Sequence, residues 1–321
     1  MKQLFGSVFV RNREEGSVSN PKSSEQEKQK KRPIANLLHF SPQHWGEVER
    51  FTQFWTTTYT FDRMTQKRLR GIAGHFSKAG YLFQLAKRLA PNLDLDAKQL
   101  EESGYSPAHN SKELAAVIES VFCEQYSAID CCRFVLFKVF PDHKGIKDST
   151  RKTFQKAFEG EIDQRVPVAI RDAIANTKEW YFELLRLRDE LTHSNVGSCH
   201  RDDKTGNVMY MHDGLGTPGK SLVIEDVFAA LKTYFDKIND LLGLVFRELN
   251  RMLDDKPVEL MCGIFGGRCY QRVVRPSEAI DINGGVCKSY QWFDLEEHPD
   301  CPLKDGCQAY ARAKGEQLAD G

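Results

Sequence analysis

The chain has 321 residues and a hydrophobic content of 40%, enough to bury a substantial core as one large domain or as one domain with appendages. Its 45 Lys and Arg residues balance its 45 Asp and Glu residues, which excludes nucleic-acid binding through an overall positive charge. We expect a cytoplasmic protein without membrane contact, because no stretch reaches the roughly 18 to 20 apolar residues of a membrane span and the N-terminus resembles no secretory signal.

The first 40 residues are predicted to form a separate N-terminal segment, largely a disordered linker. Residues 11–33 are polar, poor in aromatic residues and without periodicity, which is typical of a solvated chain. The pattern changes at Ser41-Pro42, a favourable N-cap and first-turn pair, and apolar residues then follow at helical spacing. A helical domain is therefore predicted to begin at residue 41.

Helical periodicity dominates the rest of the chain as far as residue 256. A turn-rich interval interrupts it at residues 90–111, and two short strands around a glycine-rich turn are predicted within 208–226. The fold class is therefore mainly α, a helical bundle with a small β-hairpin insertion, followed at 257–321 by a Cys-rich C-terminal appendage. The helices are predicted from about 41, at 62–91, 112–140, 149–159, from about 167 to 191, and at 225–253.

The last of these helices, 225–253, carries an apolar face with nearly a heptad register. Such a face serves either a partner helix, as in a dimer, or the core of its own domain. The sequence leaves both interpretations open.

The most informative stretch reads "RLRDELTHSN" and closes the helix that starts near residue 167. At about 100° per residue, Arg188 falls at the border of the apolar side of that helix. Arg186, Asp189 and His193 share a different face. Asp189 is therefore placed to hydrogen-bond His193 and to fix the tautomer of the imidazole, which would make His193 a proton-transfer group. The alternative interpretation is a helix end that carries only a surface ladder of salt bridges.

This stretch resembles the R-x4–6-H motif of the HEPN superfamily, in the form with a polar residue directly after the arginine. Arg188 and His193 supply the motif, and Asp189 occupies the polar position. The similarity extends to the helical order over 41–253, with the motif near the end of one long helix and a final long helix after it. Arg186 with His193 also satisfies the longer spacing, although the polar residue favours Arg188.

The resemblance implies a metal-independent endoribonuclease, usually a homodimer whose two motifs meet in one cleft. RNA carries its own nucleophile, the 2′-hydroxyl, which attacks the adjacent phosphate when a base removes its proton. Histidine can supply that proton transfer, and arginine supplies a permanently charged fork for the phosphate oxygens. The expected products carry 2′,3′-cyclic phosphate and 5′-hydroxyl ends.

Two function classes follow from the resemblance. The first is an RNase acting as a toxin or defence effector, with a neutralising or activating partner and no cofactor for catalysis. The second is a non-catalytic HEPN-like module for RNA binding or dimerisation.

The geometry of an α-helix sets a condition for the RNase function. On a straight helix Arg188 and His193 point about 140° apart. They converge only if the helix unwinds near Thr192 or if a second subunit completes the site.

Three further residues are weaker candidates for contacts with the RNA phosphates, together with Arg186. They are His200, Arg201 and Lys204, in the segment that follows the motif. Because loops are polar in any case, an ordinary solvated loop is the competing interpretation.

The chain contains nine cysteines, an odd number, which favours free thiols or metal ligands over a disulfide scaffold. Cys123, Cys131 and Cys132 lie in a helical pattern and are interpreted as small hydrophobic residues. In the C-terminal region, with His298 nearby, a structural zinc ion is the hypothesis, although the spacings are looser than those of most structural sites. Its ligands would be Cys262, Cys269, Cys301 and Cys307.

Overall fold

The computed structural model describes residues 39–40, 46–193, 195–215, 223–265 and 267–315. The predicted linker at 11–33 and the predicted cap at Ser41-Pro42 lie outside these residues. The chain divides into two compact units, one formed by Gly46–Asp254 and the other by Met1–Trp45 with Asp255–Gly321. The predicted boundary between the helical domain and the C-terminal region followed residue 256.

The first unit is built from eight α-helices among its described residues, so the prediction of a mainly α fold is confirmed. Their ends carry ordinary capping signals, such as Asp62, whose side chain accepts a hydrogen bond from the backbone N–H of Thr65. The helices are α1 (Glu47–Phe54), α2 (Arg63–Leu89), α3 (Leu93–Ser103), α4 (His109–Val139), α5 (Thr150–Phe158), α6 (Val168–Ala175), α7 (Lys178–His193) and α8 (Val227–Arg251).

Helix α4 is the centre of this unit, with α2, α7 and α8 packed around it. Ile118, Val121 and Phe122 on its apolar side are fully buried. The apolar face of α8 is buried in the same core, with Leu231, Ile238 and other residues of the stripe inaccessible to solvent. That face therefore serves the core of its own unit and is not a free surface for a partner helix.

Two helix predictions differ from the structure. The interval 90–111 contains α3, because Pro91 lies in a 3₁₀ turn that precedes the helix, and Gly104 ends the helix with a positive φ of 65°. The single helix predicted from about 167 to 191 is two helices, α6 and α7. Between them, the Thr177 hydroxyl donates a hydrogen bond to the carbonyl of Ile174, which competes with helix continuation.

A small antiparallel sheet follows α7, in the order β2 (Ser198–Arg201), β3 (Val208–Met211), β4 (Val223–Ile224). The two predicted strands are β3 and β4, with Met211 opposite Val223, and β2 is an additional strand in a segment predicted as loop. Ser111 of α4 attaches β2 to the core. Its hydroxyl donates to the carbonyl of Cys199 at 2.8 Å and accepts from the Cys199 N–H at 2.9 Å.

The second unit contains a four-stranded antiparallel sheet and two short helices among its described residues. Sequence analysis assigned no strands to this region. A small core forms between the sheet and the helices, from Tyr270, Phe293, Cys307, Ala309 and Tyr310. The strands, in spatial order, are β1 (His39–Phe40), β5 (Val258–Phe265), β6 (Arg268–Val274) and β7 (Val286–Cys287), and the helices are α9 (Tyr290–Phe293) and α10 (Gln308–Lys314).

Across the part of the chain that the structure describes, every helix is too short or too polar to cross a membrane.

Candidate active site

The segment "RLRDELTHSN" occupies the C-terminal end of α7, which continues as an unbroken helix to His193. Leu184, Leu187 and Leu191 form its core side and are 0%, 3% and 8% exposed. The Thr192 hydroxyl donates to the carbonyls of Arg188 and Asp189 at 2.9 and 3.1 Å. This is the turn in which unwinding would let Arg188 and His193 of one chain converge. The helix does not unwind at that point.

Arg188 is held in place by two groups at the boundary between α7 and α4. Its Nη1 donates a hydrogen bond to Oδ1 of Asp189 at 2.8 Å. The guanidinium carbon lies 5.4 Å from the centroid of the Tyr126 ring on α4, within the range of a cation–π contact. The hydrogen bond to Asp189 raises the pKa of Arg188, so the side chain is always charged.

The Arg188 side chain is 39% exposed, so its positioned charge faces solvent. Among the described residues it makes one hydrogen bond, the one to Asp189. A guanidinium has five N–H donors, and most of them remain available to a ligand. The arrangement suits a phosphate group, because an oriented guanidinium matches phosphate oxygens in charge and in geometry.

Arg186, the other candidate for the motif arginine, has a structural contact. Its Nη1 donates to the carbonyl of Leu215 at 3.2 Å, in the 3₁₀ turn Asp213–Leu215. Arg186 therefore ties α7 to that turn, whereas the Arg188 side chain is 39% exposed and, among the described residues, contacts only groups of α7 and α4. The contacts favour Arg188 as the motif arginine.

His193 is the last residue of α7 and is exposed. The expected hydrogen bond between Asp189 and His193 is absent, and within the described residues His193 makes no hydrogen bond or ion pair. Asp189 pairs with Arg188 instead, because a permanently charged guanidinium is a stronger partner than an exposed imidazole. The orientation predicted for His193 therefore has no support within this chain.

The segment that follows the motif is fixed by two residues that sequence analysis missed, Glu119 and His212. Oε1 of Glu119 on α4 accepts hydrogen bonds from the Gly197 N–H and from the Tyr210 hydroxyl, both at 2.8 Å. His212 is 2% exposed, with Nε2 2.7 Å from the carbonyl of Asn195. These contacts hold the backbone at residues 195 and 197, directly after the motif.

The buried His212 has a defined tautomer. Its Nδ1 accepts the N–H of Gly214 at 3.0 Å, so its Nε2 carries the proton donated to the carbonyl of Asn195. A sequence signal existed for this residue. The alternation that buries Val208 and Tyr210 on one face of β3 reaches His212 at the next step of two.

The three weaker candidates lie on β2 and the turn after it. The Arg201 guanidinium donates to Asp94 at 3.0 Å and to the carbonyl of Ala90 at 3.1 Å, so it connects β2 to the start of α3. His200 contacts Ser198 at 3.2 Å, and Lys204 is exposed. No contact within the described residues joins these side chains to Arg188 or His193.

The three cysteines of α4 have no features of a nucleophile. Burial raises the pKa of Cys132 to about 12. Burial also raises the pKa of Cys123, although the nearby charge of Arg188 acts in the opposite direction. A thiol with a raised pKa stays protonated near neutral pH, which agrees with the interpretation of these residues as small hydrophobic side chains.

The cysteines of the second unit are grouped differently from the predicted zinc ligands. Cys269 is exposed on β6. Cys287, which was not among the predicted ligands, lines a cavity of about 20 Å³ together with the other three, Cys262, Cys301 and Cys307. His298 contacts the carbonyl of Trp292 at 2.7 Å. In the described part of the chain, no three Cys, His, Asp or Glu side chains are arranged as they stand to hold a metal ion.

No protein-family model matches the chain, and neither a curated protein nor a solved structure matches it significantly. The HEPN resemblance therefore rests on the motif at Arg188–His193 and on the order of the helices.

Proposed function

We propose that the chain is a metal-independent endoribonuclease of the HEPN type. The observation that carries the proposal is the fixed position of Arg188, between the carboxylate of Asp189 and the ring of Tyr126, with 39% of its side chain exposed. His193 lies at the end of the same helix and is open to solvent. A permanent cation and an accessible imidazole are the two groups that RNA cleavage by its own 2′-hydroxyl requires.

In the proposed reaction, His193 takes the proton of the 2′-hydroxyl as that oxygen attacks the adjacent phosphorus. A new bond forms between the 2′ oxygen and phosphorus, the bond to the 5′ oxygen breaks, and the leaving oxygen takes a proton from solvent, to which His193 later returns the proton that it accepted. Arg188 stabilises the negative charge that gathers on the phosphate oxygens. Asp189 acts on Arg188 as a positioning residue, since its carboxylate contacts that guanidinium and not His193.

We propose that two copies of the chain form the complete site. Because α7 is unbroken, Arg188 and His193 of one chain point about 140° apart. A symmetric dimer that places two α7 ends together would bring Arg188 of one copy to His193 of the other. Two exposed apolar side chains lie near the motif in sequence, Phe182 before it at 41% and Val196 after it at 52%.

Such an activity suits a toxin or a defence effector. An RNase that acts on cellular RNA must be held in check, so we propose a neutralising or activating partner in addition to the RNA substrate.

The alternative function is a non-catalytic HEPN-like module for RNA binding or dimerisation. One observation favours it: His193 has no hydrogen-bonding partner among the described residues to orient its ring. In this case Arg188 would bind phosphate without cleavage, and loss of His193 would leave RNA affinity unchanged.

Incubation of the purified full chain with total cellular RNA in EDTA tests the proposal. We expect cleavage to persist without divalent metal, to leave 2′,3′-cyclic phosphate ends and to spare DNA. A 2′-deoxy substitution at the cut site should block the reaction, because it removes the nucleophile. His109→Ala is the matched control for His193→Ala, since His109 is also exposed. Equal cleavage by both variants would reject His193 as the proton-transfer group.

A further inference from the structure

Four cysteines of the second unit converge on one small cavity from separate parts of its chain. Cys262 lies on β5, at the irregularity where the register shifts between Met261 and Gly263. Cys287 ends β7, Cys301 lies in the segment after α9, and Cys307 is the N-cap residue of α10. Their side chains line a cavity of about 20 Å³, and each thiol lies within electrostatic range of others in the group.

An N–H group lies near each of the four sulfur atoms. Burial raises the pKa values of Cys287 and Cys301 overall, although the backbone N–H of Ser289 lowers the pKa of Cys287 and that of Leu303 lowers the pKa of Cys301. The N–H of Tyr310 lies 3.4 Å from Sγ of Cys307. Hydrogen bonds of this kind orient a thiolate ligand and stabilise its charge.

The donor to Cys262 is a charged group, the guanidinium of Arg272. Nη1 of Arg272 lies 3.2 Å from Sγ of Cys262, and this arginine is 1% exposed. Four thiolates around one Zn²⁺ carry a net charge of two negative units, and the nearby guanidinium of Arg272 would offset part of it.

The environment of the cavity fits a structural metal site. The buried cluster at the centre of this unit is small, Cys307 belongs to it, and Cys287 and Cys301 pack against it. A unit with so small a core needs another source of stability, and a metal bound by groups distant in sequence supplies one.

We propose that Cys262, Cys287, Cys301 and Cys307 bind one structural zinc ion. Zinc prefers four thiolate or imidazole ligands in tetrahedral geometry, and four thiolates are the complete set for a closed structural site. Binding forms four Zn–S bonds and releases the four thiol protons to solvent. Because these side chains are not arranged to hold a metal ion as they stand, zinc binding would have to bring the four sulfur atoms closer together. Cys269, exposed on the neighbouring strand, is not a ligand.

The full chain, expressed with zinc and purified without chelator, tests the proposal by metal analysis. We expect about one equivalent of zinc per chain and the loss of most of it in Cys287→Ser. Cys269→Ser is the matched control and should retain the wild-type content. Less than about a tenth of an equivalent in the wild type, or equal zinc in the two serine variants, would overturn the assignment.

A second measurement on the wild-type chain avoids variants that fail to fold. Alkylation of the native protein, mapped by mass spectrometry with and without a zinc chelator, should modify Cys269 equally in both conditions. The four proposed ligands should react only after the chelator is added, because removal of the zinc ion frees their sulfur atoms. Four thiols that ignore the chelator, or a mass lower by two hydrogens for each disulfide bridge, would also overturn the proposal. Neither readout depends on RNA cleavage.

Discussion

The guanidinium of Arg188 lies over the ring of Tyr126, with its central carbon 5.4 Å from the ring centroid. This contact joins the exposed end of α7 to the central helix α4. Asp189 completes the arrangement from the same turn of α7, so two groups determine where the charge of Arg188 lies. The precision of the proposed site therefore depends on α4 as well as on the motif itself.

The first prediction concerns Tyr126. Replacement by leucine removes the ring face, and the lost contact is worth about 0.5–1 kcal/mol, so RNA cleavage should fall about two- to fivefold. Tyr126→Phe keeps the ring and loses only a hydroxyl that lies 3.5 Å from the hydroxyl of Tyr181, so it should cleave at nearly the wild-type rate. Single-turnover cleavage of a short RNA measures both variants. Equal rates for Leu and Phe would show that the ring does not position Arg188.

A second prediction separates the two arginines of the motif. Arg188→Ala should reduce cleavage on the order of 10²–10³-fold, because it removes the charge that stabilises the transition state. Arg186→Ala should have a much smaller effect on the rate and instead lower stability, since it removes the contact with the carbonyl of Leu215. Cleavage rates and thermal unfolding of the two variants test this. The opposite ranking of rates would assign the motif to Arg186.

The third prediction concerns the role of Asp189. The Asp189→Asn variant should cleave more slowly than wild type and faster than Arg188→Ala, because asparagine still accepts a hydrogen bond but has no charge to hold the guanidinium. If Asp189 acts on Arg188 alone, the rate should fall by the same factor at every pH. A shift of the acidic limb of the pH–rate profile would mean that Asp189 supports the protonated imidazole of His193 instead.

The helical elements of the first unit could be predicted from the sequence because their apolar periodicity matches the core that they form. The apolar stripe of α4 and the apolar face of α8 are buried as their spacing indicates. Helix α3 is not predicted because Pro91 and Gly104 interrupt the helical pattern of the sequence, whereas in the structure they lie before the start and after the end of a helix. A proline or a glycine has a different meaning at each end of a helix.

The surroundings of the candidate site could not be predicted, because they come from contacts distant in sequence. Glu119 and Tyr126 lie on α4, and nothing in their local pattern relates them to the motif on α7. For a similar reason, the sequence did not predict that Cys287, and not Cys269, lines the cavity with the other three cysteines. Which cysteines face the cavity depends on strand register and on the irregularity in β5, and spacing along the chain does not encode either.

A fourth prediction tests whether the segment after His193 is as tightly packed as its contacts indicate. A Cβ atom on Gly197 would lie 2.6 Å from the carbonyl oxygen of Met211 and 2.7 Å from the hydroxyl of Tyr210. Gly197→Ala should therefore destabilise the chain by about 1–3 kcal/mol. Gly243→Ala on α8 is the control, since a Cβ there meets nothing within 4 Å and alanine should stabilise the helix by about 0.5–1 kcal/mol. Urea denaturation measures both changes.

The last prediction tests the composite site by mixing two inactive variants, Arg188→Ala and His193→Ala. Each homodimer lacks one group in both of its sites and should be inactive. A mixed dimer has two sites, each of which pairs Arg188 of one chain with His193 of the other. One site keeps both groups, because both lost groups fall in the second site. With random exchange, half of the dimers are mixed, and activity should return to roughly a quarter of the wild-type value per chain.

The same mixture gives a different result if both groups of a site come from one chain. Every site would then carry one of the two defects, and mixing would restore nothing. Co-purification of an untagged variant with a tagged one is the control for subunit exchange, because the activity of either variant mixed with wild type falls in proportion to the mixing ratio whether or not subunits exchange. Light scattering should show a dimer in all samples. A monomeric chain with full activity would exclude the composite site, and the unbroken end of α7 would then have to unwind near Thr192 when RNA binds.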